Sequence, residues 1–157
     1  MSKDSQSFET TVALPDLAAT DGLGARIAAG LGVGDAVALE GDLGAGKTTL
    51  ARAILRHLGV TEDVPSPTFT LVQEYETARI AVRHYDLYRI EKASEMEELG
   101  LEDALNGGAA LIEWPERAPS FLPPDRLHVA LALKDGARRA RITGPQRWAK
   151  PLELEHV

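Results

Sequence analysis

The amino-acid sequence predicts a three-layer α/β domain in which helices cover both faces of a mixed central sheet. Three observations support this prediction. Residues 36–39 form a short continuous apolar run, typical of a strand buried on both faces. A glycine-rich loop and an amphipathic segment, residues 48–58, follow it directly and indicate a loop and a helix. Residues 127–133 and 137–142 flank a Lys-Asp-Gly turn, which is typical of an antiparallel hairpin.

Ahead of the glycine-rich loop, the pattern predicts one strand and one helix. Residues 8–14 alternate loosely between apolar and polar side chains and fit an edge strand. Thr20 is placed to cap a helix, because the apolar residues Leu23, Ile27 and Leu31 recur at a spacing of three to four. Closely spaced glycines then end this helix.

Between the loop and the late hairpin, the sequence indicates three strands and a short helix. Residues 69–75 and 80–85 are rich in β-forming side chains and predict a hairpin or two neighbouring strands. A capping box predicts the start of a short helix over residues 94–100. Residues 106–108 are interpreted as a turn before another apolar strand, residues 109–112.

Length and composition indicate one domain, residues 1–157, with disorder expected only at the ends, about residues 1–7 and 145–157. A chain of 157 residues is long enough to bury a single apolar core. Hydrophobic side chains make up 44% of the chain and charged side chains 26%. This composition is ordinary for a globular protein and argues against a disordered chain.

Charge and cysteine content exclude several classes of function. Without cysteine, the chain cannot hold a disulfide, a zinc–thiolate site or a catalytic thiol. A formal net charge of -7 means that the surface as a whole repels nucleic acid. The polar first residues lack the apolar stretch of a signal peptide, and no apolar run reaches the length of a membrane helix. We therefore expect a cytoplasmic protein without membrane contact.

The glycine-rich loop carries the strongest functional signal. Residues 41–48, Gly-Asp-Leu-Gly-Ala-Gly-Lys-Thr, match the phosphate-binding pattern G-x-x-x-x-G-K-[ST]. Glycines allow left-handed backbone angles that turn several N–H groups inward, and the next helix adds its positive N-terminus. Lys47 is placed to bridge the β- and γ-phosphates, and the Thr48 hydroxyl to ligate magnesium. A chance match occurs in only about one in a few hundred such chains.

This motif predicts a P-loop NTPase fold with a nucleoside triphosphate and Mg²⁺ as ligands. The Asn-Lys-x-Asp signature of Ras-like GTPases is absent from the sequence, as is Asp-x-x-Gly after the loop. We therefore expect ATP rather than GTP. The loop residues expected to hold the nucleotide are Asp42, Leu43, Gly44, Ala45, Gly46, Lys47, Thr48 and Thr49.

Two acidic residues are candidates for the metal site because each ends a predicted apolar strand. Asp86 follows residues 80–85, and Glu113 follows residues 109–112. Parallel α/β sheets place their ligands at the carboxyl ends of strands. A P-loop enzyme needs such groups to orient hydrated magnesium and the attacking water. A helix cap or a surface turn would explain either acid alone about equally well.

Five segments together resemble the TsaE (YjeE) family, small bacterial ATPases needed for threonylcarbamoyladenosine modification of tRNA at the adenosine next to the anticodon. The phosphate loop is shared with many families, whereas Ser-Pro-Thr-Phe and Asp-Leu-Tyr-Arg in combination are specific to this one. The segments occur in the family's order and leave only the ends of the chain without resemblance. They are residues 41–49, 66–72, 84–89, 98–101 and 112–114.

The resemblance implies a role for each matching residue. Lys47 and Thr48 keep their phosphate and magnesium roles. Asp86 resembles an essential acid that acts on metal-bound or attacking water, and Glu113 resembles a second acid near magnesium. Thr68 resembles a switch threonine that senses the γ-phosphate or the metal. The residue pattern alone would favour a strand entry at Thr68.

Three further features each have two interpretations. Trp114 could lie close to the nucleotide, although core packing is more common for tryptophan. His84 shares strand alternation with Asp86 and is interpreted as structural, or as a support for the site, rather than as catalytic. The basic stretch at residues 134–150 fits a solvated strand face better than a phosphate-backbone contact inside a larger complex.

Together these signals predict an ATPase whose hydrolysis supports a partner complex. The resemblance implies protein partners of the TsaD and TsaB type, with tRNA reached indirectly through them. Hydrolysis is expected to be slow without partners, because no arginine is clearly placed as an arginine finger. Arg89 is the only motif arginine and could serve as a finger within the chain. The alternatives are a P-loop small-molecule kinase and a non-hydrolysing, ATP-gated interaction module.

Overall fold

The computed structural model describes residues 7–42, 45–67 and 70–153. Within these ranges seven strands form one sheet: β1 (Ser7–Leu14), β2 (Ala36–Glu40), β3 (Val72–Glu76), β4 (Ala81–Asp86), β5 (Gly108–Glu113), β6 (Leu127–Lys134) and β7 (Ala137–Pro145). The helices are α1 (Leu17–Gly30), α2 (Lys47–His57), α3 (Leu101–Gly107) and α4 (Ala149–Glu153), with 3₁₀ segments at Ala93–Leu99, Pro115–Arg117, Pro119–Phe121 and Gln146–Trp148. No helix in the described ranges has the length and apolar character needed to cross a bilayer.

The sheet is mixed, as predicted, and its strand order is β1-β7-β6-β2-β5-β4-β3. β2 lies between β5 and β6 and is parallel to both, and β4 is parallel to β5. β7 pairs antiparallel with β6 and with β1, so the predicted late hairpin is confirmed and β1 is an edge strand. β3 pairs antiparallel with β4 at the opposite edge, which confirms the hairpin expected there.

Helices cover both faces of this sheet, which confirms the three-layer prediction. α1, α2 and the C-terminal segment share one apolar cluster with the sheet, in which Leu23 and Ile54 are fully buried. The 3₁₀ segment Ala93–Leu99 and α3 pack on the other face through Met96 and Leu101. β2 and β5 are therefore buried from both sides, which explains why their sequences are continuous apolar runs.

The first helix starts ahead of its predicted position. The Asp16 carboxylate accepts a hydrogen bond from the backbone N–H of Ala19 at 2.9 Å and caps α1. Thr20 lies inside the helix and is buried, so its predicted capping role was wrong. The boundary was missed because Leu17 is exposed and does not contribute to the apolar periodicity. An aspartate also suits a helix N-terminus, where its charge meets the positive end of the helix dipole.

The 3₁₀ segment Ala93–Leu99 is also capped differently from the prediction. Glu95 accepts hydrogen bonds from the backbone N–H groups of Glu91 and Lys92 at 2.8 and 2.9 Å. The capping box therefore starts at Lys92 and not at Ser94. These backbone contacts lower the pKa of the Glu95 carboxyl.

A helix that the sequence did not predict follows this segment. Gly100 has a left-handed φ of 68° and redirects the chain at once into α3. α3 includes Asn106 and Gly107, so the interpretation of these two residues as a turn was wrong. Burial of Leu101 and Ala104 against the sheet stabilises this helix, which at seven residues is too short to be stable alone.

The C-terminal segment is folded where disorder was expected from residue 145. Pro145 ends β7 opposite Ser7. Trp148 is only 1% exposed and belongs to the same core cluster as α1 and α2. Burial of such a large ring offsets the entropy lost by ordering the segment. Residues 1–6 and 154–157, which complete the predicted disordered ends, lie outside the described ranges.

A glycine in α1 sets how closely that helix approaches α2, and this packing can be tested. A Cβ at Gly24 would lie 2.6 Å from the Cβ of Ala53, so Gly24→Ala forces the helices apart. We expect the free energy of unfolding, measured in urea, to fall by about 1–3 kcal/mol.

Gly22→Ala is the matched control in the same helix, because the nearest atom to its new Cβ would be 3.9 Å away. This variant should be unchanged or more stable by up to about 1 kcal/mol. Equal unfolding curves for the two alanine variants would contradict the close approach of α1 to α2.

Candidate functional site

The glycine-rich motif forms the connection between β2 and α2. Gly46 caps α2 with a left-handed φ of 107°, which residues with a Cβ rarely adopt. At Gly41 a Cβ would lie 2.6 Å from the carbonyl oxygen of Leu131 in β6. Two glycines of the motif are therefore required, one by its backbone angle and the other by lack of space. The connection delivers the chain directly to the N-terminus of α2.

Lys47 folds back over this connection. Its ammonium donates hydrogen bonds to the carbonyl oxygens of Gly41 and Asp42, the latter at 2.9 Å. The same nitrogen lies 4.2 Å from the centre of the Trp114 ring, in a cation–π contact. Lys47 is only 5% exposed, which is unusual for lysine. Because these contacts are to neutral groups, the ammonium can still bind an anion.

The surroundings of Lys47 act on its charge in opposite directions. Burial lowers the pKa of the ammonium, because the charged form loses hydration. The nearby carboxylates partly offset this by raising the same pKa; they belong to Glu113, Glu116, Asp86 and Asp42. A bound polyphosphate would place more negative charge beside the ammonium and would favour its charged form further.

The two acids predicted from the strand ends lie next to each other. Asp86 is the last residue of β4 and Glu113 the last of β5, and the parallel register pairs them directly. On its other side, Glu113 is paired with Leu39 of β2, just ahead of the phosphate-loop motif. Asp86 is 3% exposed and Glu113 is 2% exposed. The sheet therefore places two buried acids beside the connection that carries Lys47.

Glu113 receives hydrogen bonds from two directions. From α2, the Thr48 hydroxyl donates to its carboxylate, with oxygen–oxygen distances of 2.9 and 3.1 Å. From β4, the Nε2 atom of His84 lies 2.6 Å from Glu113 Oε2. Because Thr48 donates its proton to Glu113, both lone pairs of the hydroxyl oxygen are left for another partner. Thr48 and Glu113 are thus placed together, as the sequence predicted.

Asp86 is held at the start of the turn that follows β4. Its Oδ1 atom accepts a hydrogen bond from the backbone N–H of Tyr88 at 2.9 Å. Its own N–H donates to the carbonyl of Leu71 at 3.0 Å, which joins the turn to the segment before β3. Asp86 therefore holds the turn, as the turn interpretation expected, but it is buried and also lines a cleft.

An open cleft of about 440 Å³ joins these groups. Seven of the predicted site residues line it: Gly46, Lys47, Thr48, Thr49, Asp86, Glu113 and Trp114. Asp42 and Ala45 belong to the loop but not to the lining, and Leu43, Gly44 and Thr68 lie outside the described residues. The lining consists of Gly46, Lys47, Thr48, Thr49, Ser66, Asp86, Tyr88, Glu113, Trp114 and Arg138.

An aromatic wall closes one side of this cleft. Trp114 adopts a left-handed φ of 59°, which is uncommon for a bulky residue and is found most often at functional sites. Its ring lies 4.8 Å from that of Tyr88, and the Arg117 guanidinium lies 5.3 Å from the Tyr88 ring centre. Trp114 also packs partly against the core, which agrees with the core-packing interpretation, and its proximity to a nucleotide stays a prediction.

Three cleft residues were not predicted as site residues. Tyr88 lies in the Asp-Leu-Tyr-Arg segment, so its proximity to Asp86 in sequence was an available signal. Ser66 has a similar signal in Ser-Pro-Thr-Phe. No sequence signal indicated Arg138, because β7 comes close to the cleft only as a result of the strand order of the sheet. Arg89, the motif arginine considered as an internal finger, is exposed and is not part of the lining.

The acids do not form a protein-only metal cage. Over the described ranges, no group of three or more histidine, aspartate or glutamate side chains is arranged to hold a metal ion. A magnesium site here would combine Thr48 and a carboxylate with water and phosphate oxygens, which is the usual arrangement for this metal.

The chain matches the family model "Threonylcarbamoyl adenosine biosynthesis protein TsaE" over residues 14–141. It belongs to the TsaE family. Several relatives carry the name "tRNA threonylcarbamoyladenosine biosynthesis protein TsaE". The one from Nostoc sp. is 43% identical over 140 residues, covering 85% of both chains. The one from Haemophilus influenzae is 43% identical over 117 residues, covering 74% of both chains.

The fold has a close counterpart among solved structures. The crystal structure of YdiB from Bacillus subtilis superposes with a TM-score of 0.82 at 28% identity, covering 97% of this chain and 99% of that one. The family match confirms the resemblance seen in the sequence, and the structural match confirms the α/β fold. The TsaE family acts in threonylcarbamoyladenosine biosynthesis.

The contact between Thr48 and Glu113 can be tested without a ligand. Thr48→Val keeps the shape of the side chain but leaves a buried carboxylate without one donor. We expect its free energy of unfolding in urea to fall by about 1.5–3 kcal/mol. Thr48→Ser keeps the hydroxyl and loses one methyl group, so it should lose only about 0.8 kcal/mol. A valine variant as stable as the serine variant would show that this hydrogen bond does not form.

Proposed function

We propose that this chain binds Mg²⁺–ATP in the cleft and hydrolyses it slowly, in support of threonylcarbamoyladenosine modification of tRNA. The observation that carries the proposal is the position of Lys47. Its ammonium is held over the left-handed connection that starts α2, next to the buried acids Asp86 and Glu113. A phosphoryl-transfer site needs a cation for the phosphates and acids for the metal and the water.

The phosphate tail would bind where the helix starts. α2 is an eleven-residue helix, and its N-terminus directs unpaired backbone N–H groups and a positive dipole end toward the connection. Lys47 would exchange the carbonyl oxygens of Gly41 and Asp42 for phosphate oxygens, which form stronger, charge-assisted hydrogen bonds. The ammonium is already buried, so this exchange requires little further loss of hydration.

Magnesium would bind beside the phosphates, held by Thr48 together with Glu113 and Asp86. The hydroxyl of Thr48 already gives its proton to Glu113, which leaves its oxygen available as a ligand. One or two protein groups are enough, because Mg²⁺ retains several waters and binds phosphate oxygens. When bound, the metal neutralises charge that develops on the β- and γ-phosphates.

The chain's own residues would divide the remaining work. Lys47 stabilises negative charge on the γ-phosphate during cleavage. Asp86, fixed by the N–H of Tyr88, orients water at the carboxyl end of β4. Thr68, outside the described residues, remains predicted as the group that senses the γ-phosphate or the metal.

The nucleotide, the partners and the compartment are proposed from the sequence and the relatives. ATP is favoured because the chain lacks the guanine-specificity signature. Relatives named for tRNA threonylcarbamoyladenosine biosynthesis support partners of the TsaD and TsaB type. A net charge of -7 favours contact with tRNA through those partners rather than directly. We place the protein in the cytoplasm.

Two substitutions separate binding from hydrolysis. Lys47→Ala should weaken ATP binding, measured by calorimetry, at least roughly thirtyfold, because it removes a buried charge from the phosphates. Asp86→Asn should bind ATP nearly as well as the parent but lose roughly a hundredfold or more of its hydrolysis rate. Lys134→Ala and Asp125→Asn make the same changes at exposed positions and should match the parent.

The Asp86 variant also separates hydrolysis from a non-hydrolysing switch. If hydrolysis is required, Asp86→Asn fails to support tRNA modification in cells that lack their own TsaE. Full modification by that variant would favour the ATP-gated interaction module. If calorimetry showed no binding of Mg²⁺–ATP to the parent protein, the proposed function itself would be refuted.

Partner proteins should raise the hydrolysis rate strongly. An arginine supplied to a phosphoryl-transfer site can be worth about 10³–10⁵ in rate. Arg89 is outside the cleft, whereas Arg138 lines it, so the rate of the isolated protein distinguishes a partner-supplied arginine from an internal one. We expect low phosphate release alone and a large increase with purified TsaD–TsaB-type proteins. Equal rates with and without the partners would contradict partner dependence.

A further inference from the structure

His84 is a buried histidine whose polar contact is made to one of the site acids. It lies two residues before Asp86 on β4 and is 0% exposed. Its Nε2 atom is 2.6 Å from Oε2 of Glu113, which lies 29 residues further along the chain. β4 and β5 are adjacent and parallel, so the ring reaches the neighbouring strand's last residue.

The second ring nitrogen, Nδ1, indicates which hydrogen bond His84 makes. His84 Nδ1 is buried and has no hydrogen-bond partner among the described residues. A carboxylate accepts and does not donate, so the ring carries its proton on Nε2 and donates it to Glu113. A histidine kept only for packing could be replaced by an apolar side chain that leaves no buried nitrogen unpaired. The hydrogen bond to Glu113 is therefore the polar contact that His84 supplies.

Glu113 needs such a donor, because its carboxylate is almost fully buried. Among the described residues, its Oε2 atom accepts hydrogen bonds from His84 and Thr48, and its Oε1 atom accepts one from Thr48. Thr48 lies on α2, whereas His84 lies on β4 of the sheet. Without His84, Thr48 would be the remaining hydrogen-bond donor to this carboxylate in the described part of the chain, and Thr48 is the residue that the acid has to orient.

We propose that His84 is the positioning residue of the magnesium site. By holding Glu113 Oε2 from the sheet side, it turns the carboxylate so that the Thr48 hydroxyl donates to it and presents its lone pairs to the cleft. The inference rests on the proposed function, because it assigns the cation to Thr48 and Glu113. Groups of this kind, behind the ligands of a metal, commonly change metal affinity or activity by about 10–100-fold when replaced.

The test measures the metal separately from the nucleotide. ATP binding to purified protein is titrated by calorimetry, first in EDTA and then with increasing Mg²⁺, and Mn²⁺ is followed by electron paramagnetic resonance in the presence of ATP. His84→Leu removes the donor at similar volume. His84→Gln retains a carboxamide N–H at about the reach of Nε2.

A matched control is available in the same sheet. His128 Nε2 on β6 lies 2.6 Å from Glu40 Oε1, the same distance as in the His84 pair, but neither residue lines the cleft. His128→Leu therefore removes a histidine–glutamate contact of the same length, but a more exposed one, outside the cleft lining. Urea unfolding of each variant shows whether it is folded under the conditions of the titrations.

We expect His84→Leu to bind ATP in EDTA as the parent does, but to need about 10–100-fold more Mg²⁺ for the metal-dependent gain in affinity. Mn²⁺ affinity should fall by the same factor. His84→Gln should recover most of both, and His128→Leu should match the parent.

The inference would be overturned if His84→Leu needed no more Mg²⁺ than the parent for the gain in ATP affinity. It would also be overturned if the leucine and glutamine variants needed the same Mg²⁺ concentration. If both His84 variants are less stable but, where folded, keep the parental metal affinity, the residue is structural only. If the parent shows no metal-dependent ATP binding, the proposed function fails instead, so the two failures are distinguishable.

Discussion

The site depends on the parallel register of three adjacent strands. Glu113, at the end of β5, is paired with Leu39 of β2 on one side and with Asp86 of β4 on the other. β2 leads directly into the connection that carries Lys47, so this register alone joins the cation and both acids at one edge of the sheet. A shift of one residue in β5 would turn Glu113 to the opposite face.

Three charged side chains are buried together at this edge, which is unfavourable unless each has partners. Lys47 uses loop carbonyls and the Trp114 ring, Asp86 uses a backbone N–H, and Glu113 uses Thr48 and His84. The groups are therefore oriented before any ligand arrives. Such preorganisation stabilises developing charge at small cost during a reaction, as the proposed phosphoryl-transfer function requires.

The basic stretch near the C-terminus is divided among different structural tasks. Arg141 pairs with Glu9 across β7 and β1 at 2.8 Å, on an exposed face of the sheet. Arg147 pairs with Asp35, just before β2, and so ties the C-terminal segment to the centre of the fold. Arg138 instead lines the cleft. This distribution is that of a solvated, ion-paired strand face with one arginine directed to the site, rather than of a continuous anion-binding patch.

The sequence by itself determined the parts of this protein that depend on local pattern. Continuous apolar runs located β2 and β5, and the glycine-rich motif located the connection between β2 and α2. The positions of Asp86 and Glu113 at the ends of predicted strands indicated that the two acids lie at one edge of the sheet. The local pattern mispredicted the cap of α1 and did not predict α3. Burial against the sheet decides that α3 is a helix. Only the tertiary structure decided that His84 meets Glu113 and that Arg138 reaches the cleft, because such contacts follow from the strand order, which is set by packing of the whole chain.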